Sequence, residues 1–259
     1  TSFNSLKDIF LAWYHRTSTP LEKRLEAIDY IIEKEPEIGW NLLKKLMPEN
    51  HQISHDARKP EWKDFGRSQV KPFTRSCMWK IFDEYIRRII TLAGINPKRW
   101  VELIELYDNF PDVHQQLVEN GLNELSQIAL NKDDKHDLWE KLRDFINRHR
   151  SFSSASWSLP ETKLNTLETI LNLFAPSEYV DSVAWLFNSY FPDTSFPKIN
   201  NVEEAEKELE KLRFAAAKKI LDNENDLIVL VDKVELPYLI AFQINEVVDD
   251  EVKIFNIFK

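Results

Sequence analysis

Glycine is scarce in this 259-residue chain, which contains only four of them. Globular proteins usually have roughly 7% glycine. Tight β-turns and phosphate-binding loops need glycine, because it adopts positive φ easily and lets a ligand approach the backbone. The shortage argues against an all-β fold and against a glycine-rich nucleotide site. Neither the P-loop motif Gly-x-x-x-x-Gly-Lys-Ser/Thr nor the hydrolase elbow Gly-x-Ser-x-Gly occurs.

Cysteine is rarer still, with Cys77 as the single example. An internal disulfide and a zinc site built from cysteines are both excluded, which fits the reducing cytoplasm. No basic residue stands at a spacing that would mark Cys77 as a nucleophile. Because Cys77 opens an apolar helical stripe with Met78 and Trp79, we expect a buried structural thiol.

Long apolar runs are missing as well, since no stretch approaches the roughly 18–20 residues that span a bilayer. The first four residues do not form a secretory signal. The formal net charge of −9 repels nucleic acid and anionic membranes unless basic residues cluster locally. We therefore expect a cytoplasmic protein that binds neither a membrane nor a cofactor.

Amphipathic stripes interrupted by prolines recur along the chain. Pairs of such stripes flank Pro36, Pro111 and Pro176. When the first two pairs are aligned on their prolines, apolar residues coincide four, eight and eleven positions upstream. These coincidences are Ile32 with Tyr107, Ile28 with Leu103, and Leu25 with Trp100. The third pair is out of register by about one residue, so the pattern indicates a degenerate helical hairpin of about 25–30 residues.

Two-helix units that cannot bury their apolar faces alone stack on their neighbours. We therefore predict an all-α fold, an irregular, solenoid-like array of antiparallel helical hairpins similar to TPR or HEAT arrays. The stretch Leu227–Val231 is compatible with a short strand or a buried helix, and we favour a helix because its surroundings are helical. Five tryptophans occupy helix-face positions typical of a core: Trp40, Trp79, Trp100, Trp139 and Trp185.

Two segments lack a helical pattern, a long loop at residues 49–73 and a serine-rich connector at residues 151–159. We expect two regions: residues 1–190 form the hairpin array, and residues 191–259 form an acidic helical continuation. The chain begins without methionine and ends in an apolar stretch, which suggests a fragment of a longer polypeptide.

The loop at residues 49–73 combines basic and aromatic side chains, among them Arg58, Trp62, Phe65 and Arg67. Tryptophan and arginine dominate the hot spots of protein interfaces. The same composition suits single-stranded nucleic acid, whose bases stack on aromatic rings. Because the chain is acidic overall, we favour protein contact and keep nucleic-acid binding as the alternative; a plain packing loop also remains open.

Histidine and arginine provide the remaining candidates. Arg148, His149 and Arg150 lie at a predicted helix end and precede several serines. The arginine donors and the serine hydroxyls could hold an anion. The simpler interpretation is that cations at a helix C-terminus favour the helix dipole. His51 and His55 stand four residues apart, a spacing that could bind a metal. A metal-dependent enzyme with a site around these two residues and His149 is therefore a third hypothesis, but a further ligand would be needed and exposed loop histidines are the simpler interpretation.

Several segments resemble helical regions of very long bacterial antiphage defence proteins, such as antiviral STAND ATPases and sirtuin-type effectors. The segments that carry the resemblance are Glu35–Leu43, Leu46–Pro48, Lys59–Trp62, Leu138–Arg143, Arg148–Phe152, Trp157–Pro160 and Ala184–Phe187. The resemblance implies a sensor or scaffold region that recognises a foreign protein, with any effector or ATPase activity outside this chain. We therefore expect a non-catalytic, protein-binding helical scaffold.

Overall fold

The computed structural model describes residues 2–12, 19–48, 74–196 and 202–247. All regular structure in these ranges is helical, which confirms the predicted fold class. The α-helices are α1 (Ser2–Phe10), α2 (Leu21–Lys34), α3 (Pro36–Leu46), α4 (Arg75–Ala93), α5 (Pro97–Ile104), α6 (Asp112–Ser126), α7 (Lys132–Ser151), α8 (Glu161–Leu173), α9 (Tyr179–Val183), α10 (Val202–Ile220), α11 (Glu224–Lys233) and α12 (Pro237–Val247). Two short 3-10 helices cover Tyr107–Asn109 and Ala184–Phe187. None of these helices is long and apolar enough to cross a bilayer.

The first compact unit, Thr1–Leu122, is built around α3, which packs against α1, α2 and α4. The buried side of α3 carries Trp40, Leu42, Leu43 and Leu46. Glu35 alone joins α2 to α3, and Pro36 is the first residue of α3. A proline suits this position because the first amides of a helix have no intrahelical partner. The α2–α3 pair corresponds to the first predicted hairpin.

The second compact unit, Asn123–Lys259, packs α7 against α8 and α10 against α12. Its buried Asp181 on α9 forms ion pairs with Lys233 of α11 at 2.5 Å and with Lys132 of α7 at 2.9 Å. The stretch that could have been a strand lies within α11, so the helical interpretation is confirmed. The 3-10 helix Ala184–Phe187 contacts α10 and α12 within this unit. The division expected at residue 190 stays a prediction.

The other two predicted hairpins give helices at the expected places, α5 with α6 and α8 with α9. The strongest helix pairs of the second unit, however, are α7 with α8 and α10 with α12. The proline spacing therefore located the helices without determining which ones pack together. Solenoid-like stacking of the hairpins stays a prediction.

The structure corrects the interpretation of Cys77, which is exposed. Thr74 caps α4 by accepting a hydrogen bond from the Cys77 amide, and its hydroxyl donates to Sγ at 3.2 Å. These contacts with Thr74 hold the pKa of the thiol below its ordinary value. The buried stripe of α4 begins only at Ile81, so Trp79 is also 37% exposed, whereas Trp40, Trp100 and Trp139 are buried as expected.

Candidate functional site

The loop residues singled out from the sequence, Arg58, Trp62, Phe65 and Arg67, lie outside the described residues, as do His51 and His55. Their roles in binding a partner or a metal stay predictions. Within the described part of the chain, no group of three or more His, Cys, Asp and Glu side chains is placed to hold a metal ion.

His149 lies in the interior of the second unit and is only 1% exposed. Its Nδ1 accepts a hydrogen bond from the Leu159 amide at 3.1 Å, and its carbonyl oxygen accepts one from the Ser158 hydroxyl at 2.8 Å. The rings of Phe145 and Trp157 pack against the imidazole. Burial, together with the charge of Arg148, lowers the pKa of His149 to about 4. A neutral His149 therefore fixes the chain reversal after α7.

Arg150 forms a network with α8 through all of its guanidinium nitrogens. Nη1 and Nη2 donate to the two carboxylate oxygens of Glu168 at 3.0 and 2.9 Å, Nε donates to Glu161 at 3.0 Å, and Nη2 also reaches Asn165 at 2.9 Å. These hydrogen bonds, with Glu168 first, raise the pKa of Arg150. The anion expected near Arg150 is thus supplied by carboxylates of the chain itself.

Arg148 is the exposed member of the Arg148–Arg150 stretch. Its guanidinium lies 5.2 Å from the ring centroid of Trp157, within the range of a cation–π contact. Of the three residues predicted to bind a partner here, Arg148 is therefore the one whose side chain is presented at the surface.

A cluster of exposed aromatic rings lies elsewhere in the second unit. We call it the aromatic patch; it consists of Tyr190, Phe191, Tyr238 and Phe242. Their exposed fractions are 57%, 64%, 45% and 70%. The Tyr190 ring centroid lies 6.5 Å from that of Phe191 and 5.8 Å from that of Tyr238. Phe242 follows Tyr238 by one turn of α12, so the two side chains are neighbours on the helix surface.

The segment that carries Tyr190 is held by a buried arginine. Arg213 of α10 is 3% exposed and donates hydrogen bonds to the carbonyl oxygens of Leu186, Ser189 and Tyr190, at 2.9, 2.7 and 3.1 Å. A further hydrogen bond joins the amide of Glu235 to the Asn188 side chain at 3.1 Å. These contacts fix the segment after the 3-10 helix against the start of α12, so that the rings are displayed on an ordered backbone.

The two chain segments that bear the aromatic patch are acidic in sequence. Residues 188–193 and 235–247 contain three acidic residues, Asp193, Glu235 and Glu246, and no basic residue. Arg213 lies beneath the patch, where the backbone carbonyls and Glu210 accept its hydrogen bonds. Partial desolvation and the neighbouring Tyr190 hydroxyl raise the pKa of Tyr238 to about 12.

Sequence reasoning missed the aromatic patch. The available indication was the pair Tyr238 and Phe242, four residues apart on α12. The companion pair Tyr190 and Phe191 comes from a distant, non-helical segment. Only the tertiary structure brings the two pairs together.

No family model, curated protein or solved structure matches the chain. The functional argument therefore depends on the chemistry and geometry of the described residues.

Proposed function

We propose that this chain is a protein-binding helical scaffold or sensor region. The observation that carries the proposal is the aromatic patch, whose four aromatic side chains are between 45% and 70% exposed. Tyr190 contacts Phe191 and Tyr238, and Phe242 follows Tyr238 by one helical turn. Contiguous exposed apolar surface on a protein marks an interaction site more often than single exposed residues do. Tyrosine and phenylalanine are enriched at protein interfaces, where their rings supply contact area at low cost in side-chain entropy.

The resemblance to helical regions of bacterial antiphage defence proteins suggests the biological role in which this chain would bind a protein. In such proteins the helical region recognises a foreign protein, and an effector or ATPase outside this chain responds. Trp62, Arg58 and Arg67 of the loop at residues 49–73 remain candidate anchors, in addition to the aromatic patch.

The test is capture of proteins by the immobilised full chain from bacterial extracts, with and without phage infection, followed by mass spectrometry. One variant removes the patch, Tyr238→Ser with Phe242→Ser. Its matched control, Tyr30→Ser with Ile95→Ser, removes two side chains of the first unit that are 63% and 73% exposed. A third variant, Trp62→Ala with Arg67→Ala, tests the loop.

We expect a defined protein that binds the wild type and the control but is lost with the patch variant. Nuclease treatment of the extract distinguishes direct contact from bridging by nucleic acid. Identical captured sets for wild type, patch variant and loop variant would overturn the proposal. Loss caused by the loop variant alone would move the binding surface from the aromatic patch to residues 49–73.

A further inference from the structure

The aromatic patch combines two features that together select a cationic partner. Its rings present π-faces, which attract the positive charge of arginine and lysine. The segments that bear the rings carry carboxylates and no basic residue. Glu246 follows Phe242 by one turn of α12, and Glu235 precedes Tyr238 by three residues. Two exposed carboxylates therefore occur within four residues of the rings along the chain, one on α12 and one just before it.

The protein uses this mode of contact within its own structure. The Arg143 guanidinium lies between two tryptophans, 4.8 Å from the ring centroids of both Trp139 and Trp185, and its carboxylate partners are Asp144 and Glu140. Arg143 thus shows a cation held between aromatic rings while carboxylates neutralise its charge. The aromatic patch exposes tyrosine and phenylalanine rings to solvent, and the segments that bear them contain carboxylates.

We propose that the aromatic patch binds a basic segment of a partner protein, with arginine or lysine side chains over the rings and their charges next to Glu235 and Glu246. This inference rests on the proposed function and names the chemistry of the partner. A nucleic acid does not fit the same surface, because its phosphates would face carboxylates with no basic side chain from the segments that bear the rings.

Buried hydrogen bonds hold the backbone that carries the rings, and this order favours binding of a basic segment. The hydrogen bonds from Arg213 to the carbonyls of Ser189 and Tyr190 hold one side of the patch. On the other side, Gln243 of α12 is buried and donates to Glu210 of α10 at 2.5 Å. Rings fixed in this way lose little backbone entropy when a partner binds.

The experiment measures binding of a fluorescent ten-residue peptide of alternating arginine and glycine to the full chain by anisotropy. The charge-reversed peptide has glutamate in place of arginine. Three variants are compared with wild type. They are Tyr238→Ala with Phe242→Ala, Glu235→Gln with Glu246→Gln, and the charge-matched control Glu22→Gln with Glu35→Gln, which removes two exposed carboxylates of the first unit.

We expect the arginine peptide to bind and the glutamate peptide to show no binding. The aromatic double variant should weaken arginine-peptide binding roughly five- to tenfold, as loss of two exposed cation–π contacts implies. The Glu235/Glu246 variant should weaken it more at low salt than at high salt, because screening removes the electrostatic part. The control should stay within about twofold of wild type.

Equal weakening by the control and by the Glu235/Glu246 variant would overturn the proposal, because binding would then follow net charge alone. Sedimentation velocity tests whether a second copy of the chain covers the patch instead. If the wild type self-associates and the aromatic double variant does not, the proposal of a basic partner is overturned. Absence of peptide binding together with patch-dependent capture from extracts would refute the basic partner and leave the proposed scaffold function standing.

Discussion

The indole of Trp100 in α5 lies directly against the backbone of Gly121 in α6. A Cβ atom built on Gly121 would lie 2.7 Å from Cζ2 of Trp100, and closer still to Cη2. Trp100 is 3% exposed, and its Nε1 donates to the carbonyl oxygen of Gly94 at 2.8 Å. The indole is thus hydrogen-bonded through Nε1, while its Cη2 and Cζ2 atoms lie against Gly121. Because glycine has no Cβ atom, position 121 leaves space for the ring.

We predict that Gly121→Ala destabilises the protein by about 1–3 kcal/mol, the usual cost of overpacking a core. The sign of the change in unfolding free energy is informative, because alanine in a helix is otherwise favoured over glycine by about 1 kcal/mol. Urea denaturation followed by circular dichroism measures the change. In a Trp100→Phe background, where Cη2 and Cζ2 are gone, the same substitution should cost less. A stabilising Gly121→Ala in the wild-type background would refute the close packing of α5 on α6.

Stability should decrease on acidification through His149. Its pKa is about 4 in the folded protein, against about 6.5 in an unfolded chain, so the unfolded state binds the proton more tightly. The stabilisation is fully present above pH 6.5 and is lost as pH falls toward 4, by at most about 3 kcal/mol for this residue. Denaturant midpoints of wild type and His149→Phe across this window measure the effect. The variant should have the shallower pH slope, and equal slopes would contradict a buried neutral imidazole.

Arg150 and Arg148 should differ in their effect on stability although they are two residues apart. Arg150→Lys loses the forked contact with Glu168 and the hydrogen bonds to Asn165 and Glu161, which we expect to cost about 1 kcal/mol. The matched control Arg148→Lys changes an exposed side chain and should stay within about 0.5 kcal/mol. Thermal unfolding of both variants checks this. Equal effects would show that the Arg150 network does not stabilise the α7–α8 contact.

Arg213 should act on the aromatic patch through the backbone that carries it. Arg213→Lys keeps the charge but cannot reach the carbonyl oxygens of Leu186, Ser189 and Tyr190 together. We expect lower stability by about 1–2 kcal/mol and a several-fold weaker affinity for the arginine peptide. Hydrogen exchange of residues 188–191 should be faster in the variant. Unchanged exchange and affinity would remove Arg213 from the support of the patch.

Helix α6 shows where a sequence pattern misleads. The sequence predicts an apolar stripe after Pro111, yet Val113 in the first turn of this helix is 64% exposed. The buried side carries the polar residues His114, Gln115 and Glu119 together with the apolar Val118, Leu122 and Leu125. Tyr107 and Asp83 supply the reason: the Tyr107 hydroxyl donates to Glu119, and Asp83 lies 2.7 Å from Nε2 of His114. Buried polar groups need partners, and those partners lie on other helices.

The sequence by itself determined the helical class and the places where helices begin, because proline positions and apolar spacing act within one or two turns of the chain. It also indicated the buried Trp40, Trp100 and Trp139. Only the tertiary structure decided which helices pack together, that Cys77 is exposed, and that Arg150 is paired with Glu161 and Glu168. The aromatic patch was also decided by the tertiary structure alone. Its residues come from two segments far apart in the chain, and contacts between distant segments produce no periodic pattern in the sequence of either one.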